Sequence, residues 1–298
     1  MATDSTPRTT AALSFGNVVE AYDRGQPGYP REAVAWLTGE QPRSILELGA
    51  GTGKLTEHLV ALGHDVHATD PDPRMLERLA DRIPELRVSQ TNAEEIPAAD
   101  ATFDLVIAGN SYEWFNHELA LPEIARVLRR GGSLAVVRNL RDERIPWVKR
   151  LGNLIGHHVA GLGIGDELDS SPYFGPVDEK AFKQWQVIQR ASVQDLVRSL
   201  ADVATLERTG QESRIREVLA FYDDFGRGMD GMQLPYVTEC FRAVVGIQPK
   251  TIRTESGTTD ALALARESDD QSVSVGAVAA AVEPPADDDS GMLLIDFR

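Results

Sequence analysis

Seven consecutive residues, Glu47-Leu48-Gly49-Ala50-Gly51-Thr52-Gly53, set one carboxylate beside three glycines at alternate positions. Glycines let a backbone pass close to a ligand, and a helix that begins just after them offers free N–H groups. Their spacing decides which ligand fits. A dinucleotide loop carries glycines at its first, third and sixth positions, and here Lys54 holds the sixth. A P-loop needs glycine at position 48 and Ser or Thr at 55, where the chain has Leu48 and Leu55. Both phosphate readings fail. Glu47 argues the same way, because a carboxylate at a strand end repels a pyrophosphate and suits an amino-acid ammonium. Asp70 ends a second strand-like run, where a carboxylate can accept hydrogen bonds from both hydroxyls of a ribose.

An ammonium, a ribose and no phosphate describe S-adenosylmethionine better than NAD. The elements that must hold these residues follow from the hydrophobic pattern. Ser44–Leu48, Asp65–Asp70, Leu86–Gln90, Phe103–Ala108 and Ser133–Val137 are strand-like. Between them, Lys54–Leu62, Pro73–Ile83 and Glu118–Arg129 have helical spacing. Strand and helix in strict succession predict a doubly wound α/β fold, a parallel sheet with helices on both faces. Two short helices precede it, one built on Leu13, Phe15, Val18, Val19 and Tyr22 and one from Arg31 to Leu37. Beyond Arg141 the pattern predicts helices at 146–159, 192–202 and 210–225, a strand at 185–189, and a final strand at 234–245 whose apolar face Glu239 interrupts. Residues 174–185 read as a loop-like insertion because of their glycine and proline.

Several motifs in register resemble class I S-adenosylmethionine-dependent methyltransferases, in the type 11 subgroup that acts on small molecules. They are Glu47–Gly53, Asp70, Asn92-Ala93-Glu94-Glu95-Ile96-Pro97, Phe103-Asp104-Leu105-Val106 and Ile124–Gly132. Tyr22-Asp23-Arg24 with Pro27-Gly28-Tyr29-Pro30 is similar to the lid of trans-aconitate methyltransferase relatives. The resemblance implies a Rossmann-like sheet of seven strands, mostly parallel with the last antiparallel. It implies that Glu47, Gly49 and Gly51 surround the methionine moiety, with Gly53 a further cofactor-binding position of the loop, Asp70 the ribose, and Asn92 with the Ala93 backbone the adenine edge. Asn110 would line the methionine end, and Tyr22 and Trp114 would position the reacting groups. Relatives often carry His-Trp-Phe where this chain has Glu113-Trp114-Phe115. An NAD-dependent oxidoreductase and a non-catalytic adenosylmethionine-binding protein are the alternatives. Glu47 argues against the first.

Composition bounds the partners. The formal charge is −16, and half of it lies between Thr254 and Arg298, where ten acidic residues face two arginines. Such a surface disfavours a nucleic-acid partner, since that affinity rests on Lys and Arg neutralising phosphates. Cys240 is the only cysteine, so no intrachain disulfide forms. His157-His158 are adjacent and diverge on a helix, which makes a poor metal pair, and no other metal-ligand spacing occurs. No apolar run reaches the length of a membrane span, and the start lacks a signal-peptide pattern, so the expectation is a cytoplasmic protein. The domain expectation is a disordered 1–10, a helical lid at 11–40, a methyltransferase domain at 41–247 with an insertion at about 141–185, and an acidic, disordered tail at 248–298. Within that tail Leu293–Phe297 is an apolar exception suited to adding to a sheet edge. The acceptor is expected to be a small molecule. Arg24, Arg138 and Arg141 would suit a carboxylate, and His117, Tyr29 or Glu113 could serve as a base for a phenol or amine.

Overall fold

The computed structural model describes residues 15–155, 163–225, 231–246 and 248–249. Its core is a seven-stranded sheet: β1 (Ser44–Leu48), β2 (Asp65–Asp70), β3 (Arg87–Gln90), β4 (Phe103–Gly109), β5 (Leu128–Arg141), β6 (Phe174–Ile188) and β7 (Met232–Val245). The order is β3-β2-β1-β4-β5-β7-β6. The first five strands pair in parallel, and β7 runs antiparallel to both β5 and β6. The expected sheet, with its last strand reversed, is the one observed.

Alternation along the central strands splits the core into two layers. Ile45, Leu105, Ile107, Ala135 and Val137 face one way and meet Val34 and Leu37 of α2 (Arg31–Thr38) and Leu59 of α3 (Thr56–Ala61). Leu46, Leu48, Val106, Ala108, Leu134 and Val136 face the other way and meet Ala120, Ile124 and Ala125 of α5 (His117–Val127). Period-two strands buried on both faces read as continuous apolar runs, which is why these segments were legible. Between β2 and β3, α4 (Pro73–Arg82) starts with Pro73 at its first turn, and the Asp72 carboxylate caps it by accepting from the Arg74 N–H at 2.9 Å. The cap is therefore Asp72, which leaves Asp70 for other work.

The second half of the chain differs from expectation in three respects: a helix forms at Ile164–Ser170, the helix expected at 192–202 is two, and residues 174–185 are strand. Residues 174–185 are not a loop-like insertion but most of the edge strand β6. Gly175 and Pro176 sit where its register against β7 shifts, between Phe174 and Val177, and such an irregularity absorbs a proline at a sheet edge. The exposed Asp178-Glu179-Lys180 that follow carry no apolar signal because that stretch of the edge faces solvent. Glu239, which breaks the apolar alternation of β7, lies in register with Arg138 of β5, and their side chains pair at 2.8 Å.

The remaining helices are α1 (Val19–Gly25), α6 (Pro146–Ile155), α7 (Ile164–Ser170), α8 (Arg190–Arg198), α9 (Ala201–Ala204) and α10 (Arg208–Phe225). A 3-10 turn, Phe15–Val18, precedes α1. The expectations for residues 1–10, for His157-His158 and for the tail with Leu293–Phe297 lie outside the described residues.

Candidate active site

The strand order reverses between β1 and β4, and open α/β sheets bind ligands at the carboxyl ends of the strands beside such a reversal. A cavity of about 790 Å³ lies there, lined by Gly49, Gly51, Asp70, Asn92, Ala93 and Asn110 among others. Gly49 and Gly51 adopt φ of +71° and +55°, the left-handed region that side chains resist. At Gly49 a Cβ would also come within 2.5 Å of the Ser111 Cβ, and the Ser111 hydroxyl donates to the Leu48 carbonyl at 2.7 Å. The loops after β1 and β4 are thus joined edge to edge. Asn110, between them, has a φ of +51° although it is not glycine. Its amide oxygen accepts from the Asn139 N–H at 2.7 Å, and its own N–H donates to the Val137 carbonyl at 2.8 Å, so β5 holds the strained turn in place.

Asp70 is 8% exposed and accepts one N–H at each oxygen, from Gly51 and from Asp72, both at 2.9 Å. Each carboxylate oxygen has a second lone pair, so two further donors can still be accepted. Burial raises its pKa to about 6, against those two backbone bonds. Asn92 and Ala93 line the same cavity, with the Asn92 amide oxygen accepting from the Glu95 N–H at 2.9 Å.

Glu47 and Gly53 stand elsewhere. Glu47, 1% exposed, lies under the glycine loop, where it accepts from the Thr56 hydroxyl at 2.7 Å. It borders a narrow cleft shared with Tyr22, Tyr29 and Gly49 rather than the large cavity. Burial pushes its pKa up to about 8, with the neighbouring Asp70 adding to the rise and the Thr56 bond opposing it. Gly53 packs against Leu79 of α4, and a Cβ there would overlap that side chain.

The N-terminal segment closes the site. Tyr22 of α1 stands over Gly51, and Phe15 makes edge-on contacts with Tyr22 at 5.5 Å and with Trp114 at 5.6 Å. Burial, then the charges of Asp70 and Glu113, raise the Tyr22 pKa and keep its phenol protonated. Asp23 ties α1 to α4 through Arg78, at 2.8 Å, and Arg82. On the other side Arg24 pairs with Asp195 of α8 at 2.8 Å, and Gln26 donates to the Ser199 hydroxyl at 2.8 Å.

A second, smaller cavity of about 80 Å³ shares part of this aromatic wall. Phe15, Tyr22, Asn110 and Trp114 line both cavities, and Glu113, Arg138 and Arg141 line the smaller one. Burial raises the pKa of Glu113 although Arg138 and His117 pull it down. His117 itself lies outside both linings. Its Nδ1 meets the Glu167 carboxylate and its Nε2 lies 2.8 Å from the Tyr112 carbonyl, which makes it a link between α5 and α7. Among the described residues no His, Cys, Asp or Glu cluster could hold a metal ion. Sequence reasoning took Phe15 for a packing residue and passed over Ser111. An aromatic on a short amphipathic element carries no mark of which ring faces a ligand, and a lone serine after a strand carries none at all.

The comparisons with known proteins agree with this geometry. A family model described as a methyltransferase domain matches residues 46–136. An uncharacterised methyltransferase of Mycobacterium bovis is 40% identical over 241 residues, which is 80% of this chain and 98% of that protein. Two solved chains share the fold. One, from Anabaena variabilis and assigned to an antibiotic-biosynthesis methyltransferase, has a TM-score of 0.53 at 17% identity over 72% of this chain and 95% of its own. The other, from Anaeromyxobacter dehalogenans and assigned as a type II methyltransferase, has a TM-score of 0.51 at 20% identity over 76% and 99%. With its loop, its acidic strand end and this relationship in place, the chain belongs to the class I S-adenosylmethionine-dependent methyltransferases. It is an enzyme of methyl transfer, not a nicotinamide oxidoreductase. The site accommodates the cofactor. The cavity has the size of a nucleoside pocket, and Gly51 leaves under Tyr22 the space that a Cβ would take.

Proposed function

We propose that this enzyme methylates a small molecule that enters through the smaller cavity and meets the methyl donor at the shared aromatic wall. The observation that carries this reading is that Phe15, Tyr22, Asn110 and Trp114 line both cavities. When bound, S-adenosylmethionine supplies a methyl group activated by a sulfonium, which an acceptor displaces in line. The protein contributes no nucleophile. In this reading Asp70 holds the ribose hydroxyls, Asn92 and the Ala93 backbone meet the adenine edge, and Gly49, Gly51 and Asn110 form the walls around the methionine end. Glu47 and Gly53 shape the loop from beneath, with Glu47 available to the ammonium through the narrow cleft.

Tyr22 and Trp114 position rather than react. Their electron-rich rings favour a cation beside them, by about 0.5–2 kcal/mol for such contacts. Holding the two reactants aligned in a closed site supplies most of what an enzyme of this kind needs. The lid excludes water, and its anchors on α4 and α8 set how it opens. An acidic surface and a cavity of modest size support a small acceptor over a nucleic acid. No described helix is long and apolar enough to cross a membrane. A cytoplasmic location accords with the single cysteine.

The test is transfer of a labelled methyl group from S-adenosylmethionine into a cell extract divided into dialysable and macromolecular fractions. Label in the dialysable fraction is expected. Label confined to protein or nucleic acid would overturn the small-molecule reading.

A further inference from the structure

Among the described residues three charged side chains line the smaller cavity, two of them guanidiniums. Arg138 is 8% exposed and is held from one side, where its Nε and Nη2 each lie 2.8 Å from the Glu239 carboxylate. Its ring-facing contact is Phe241, 5.8 Å from the guanidinium carbon. The third nitrogen, Nη1, is buried and has no hydrogen-bond partner among the described residues. Buried donors are almost always paired, so an unpaired one on a residue of the cavity lining leaves that guanidinium with capacity for a ligand acceptor. Arg141 lines the same wall, with Glu143 at 4.0 Å.

Resting on the methyltransferase reading above, we propose that the acceptor is a small carboxylic acid that docks on the Arg138 guanidinium and takes the methyl group on a carboxylate oxygen. A guanidinium offers donors in the geometry a carboxylate accepts, and two of them disfavour an ammonium in the same space. Glu239 and Glu143 face the two guanidiniums from outside the lining, and Glu113, the only carboxyl group among the described lining residues, is moved by burial toward its neutral form. The wall shared with the cofactor cavity also lacks a base, since Phe15, Asn110 and Trp114 cannot take a proton and Tyr22 keeps its own. A carboxylate needs none. Its oxygen lone pair forms the new C–O bond as the C–S bond breaks, the bonding pair stays on sulfur as the thioether, and no proton moves.

The experiment uses the full chain with a panel of aliphatic and aromatic mono- and dicarboxylic acids, set against amines and phenols of matched skeleton. Calorimetry with S-adenosylhomocysteine first reports the cofactor site independently of any acceptor. Products are then read by mass spectrometry, before and after mild alkali, which cleaves methyl esters only. A base-labile methyl product from the carboxylic acids is expected. In Arg138→Gln its kcat/KM should fall about 10- to 100-fold, chiefly through KM, the scale of one lost charge-assisted pair. Affinity for S-adenosylhomocysteine should stay within about twofold, because Arg138 lies outside the cofactor cavity. Arg138→Lys, which keeps the charge and the pairing with Glu239, should lie between the two and covers the case in which the glutamine variant does not fold. Methylation of amines or phenols alone, no methylated panel member, or an unchanged KM in both variants would overturn the proposal. If the unaltered protein failed to bind S-adenosylhomocysteine, the methyltransferase reading would fall with it.

Discussion

The Tyr22 ring lies 3.7 Å from the point where a Cβ on Gly51 would stand, so the lid and the glycine loop meet across the space of one methyl group. Gly51 is also left-handed, with a φ of +55°. Gly51→Ala would therefore cost about 1–2 kcal/mol of backbone strain and fill part of the gap. The expected result is a lower melting temperature, from strain that free and bound protein share, and a weaker cofactor affinity, from the methyl group entering the space beside Tyr22. Calorimetry beside thermal unfolding checks both.

Asp70 predicts a pH dependence of cofactor binding. Its carboxyl has a pKa of about 6, and the protonated form loses acceptor capacity toward hydroxyls. Affinity for S-adenosylhomocysteine should be flat above about pH 7 and weaken as pH falls through 6. In Asp70→Asn the weak affinity should no longer vary across that window. A wild-type titration that stays flat from pH 5 to 8 would remove Asp70 from the ribose (a window taken from its shift).

Glu47 makes the opposite demand on stability. Its folded pKa is raised from 4.5 to about 8, so its contribution to stability is complete below 4.5 and is lost as pH rises through 8. Glu47→Gln keeps an acceptor for the Thr56 hydroxyl and removes the buried charge. The apoprotein variant should melt higher than wild type at about pH 8.5 and equally at about pH 4, the two sides of that window. If Glu47 serves the ammonium, the same variant binds cofactor more weakly, a trade of function for stability. Equal melting curves at both pH values would refute the assignment.

Asp23 anchors the lid. Burial works to raise its pKa, but the bonds from Arg78 and the charge of Arg82 outweigh burial and hold the carboxyl below the usual range. Asp23→Asn breaks both ion pairs between α1 and α4 while leaving the Arg24–Asp195 pair in place. Hydrogen exchange across residues 19–25 should quicken, and dissociation of S-adenosylhomocysteine with it. Unchanged exchange would mean that α8 alone carries the lid.

Most of this architecture was legible because its signals are local. The strands β1, β2 and β4 are buried on both faces, so their apolar runs declare them, and the glycine loop announces itself by spacing. Residues 174–185 were illegible for the converse reason. Among the described residues β6 is an edge strand paired only with β7, one stretch of it faces solvent, and its Gly-Pro lies at a register shift, so only its end, the strand expected at 185–189, carried a signal. At the site, Asp70 was visible because it ends a strand, and Asn110 because the family resemblance marks the position just after one. Phe15 was not, because what makes it a wall residue is contact with Trp114, almost a hundred positions away. Glu239 looked like an error in the pattern until register placed it opposite Arg138.

The central claim is that the loop of Gly49 and Gly51, with Asp70, holds the nucleoside and amino acid of S-adenosylmethionine. Calorimetric titration of the full chain and of Asp70→Ala with S-adenosylhomocysteine, and with NAD as the phosphate-bearing counterpart, tests it most directly. The account predicts saturable binding of S-adenosylhomocysteine by the wild type, no detectable binding by the variant, and no binding of NAD by either. Equal binding of S-adenosylhomocysteine by wild type and variant would contradict it.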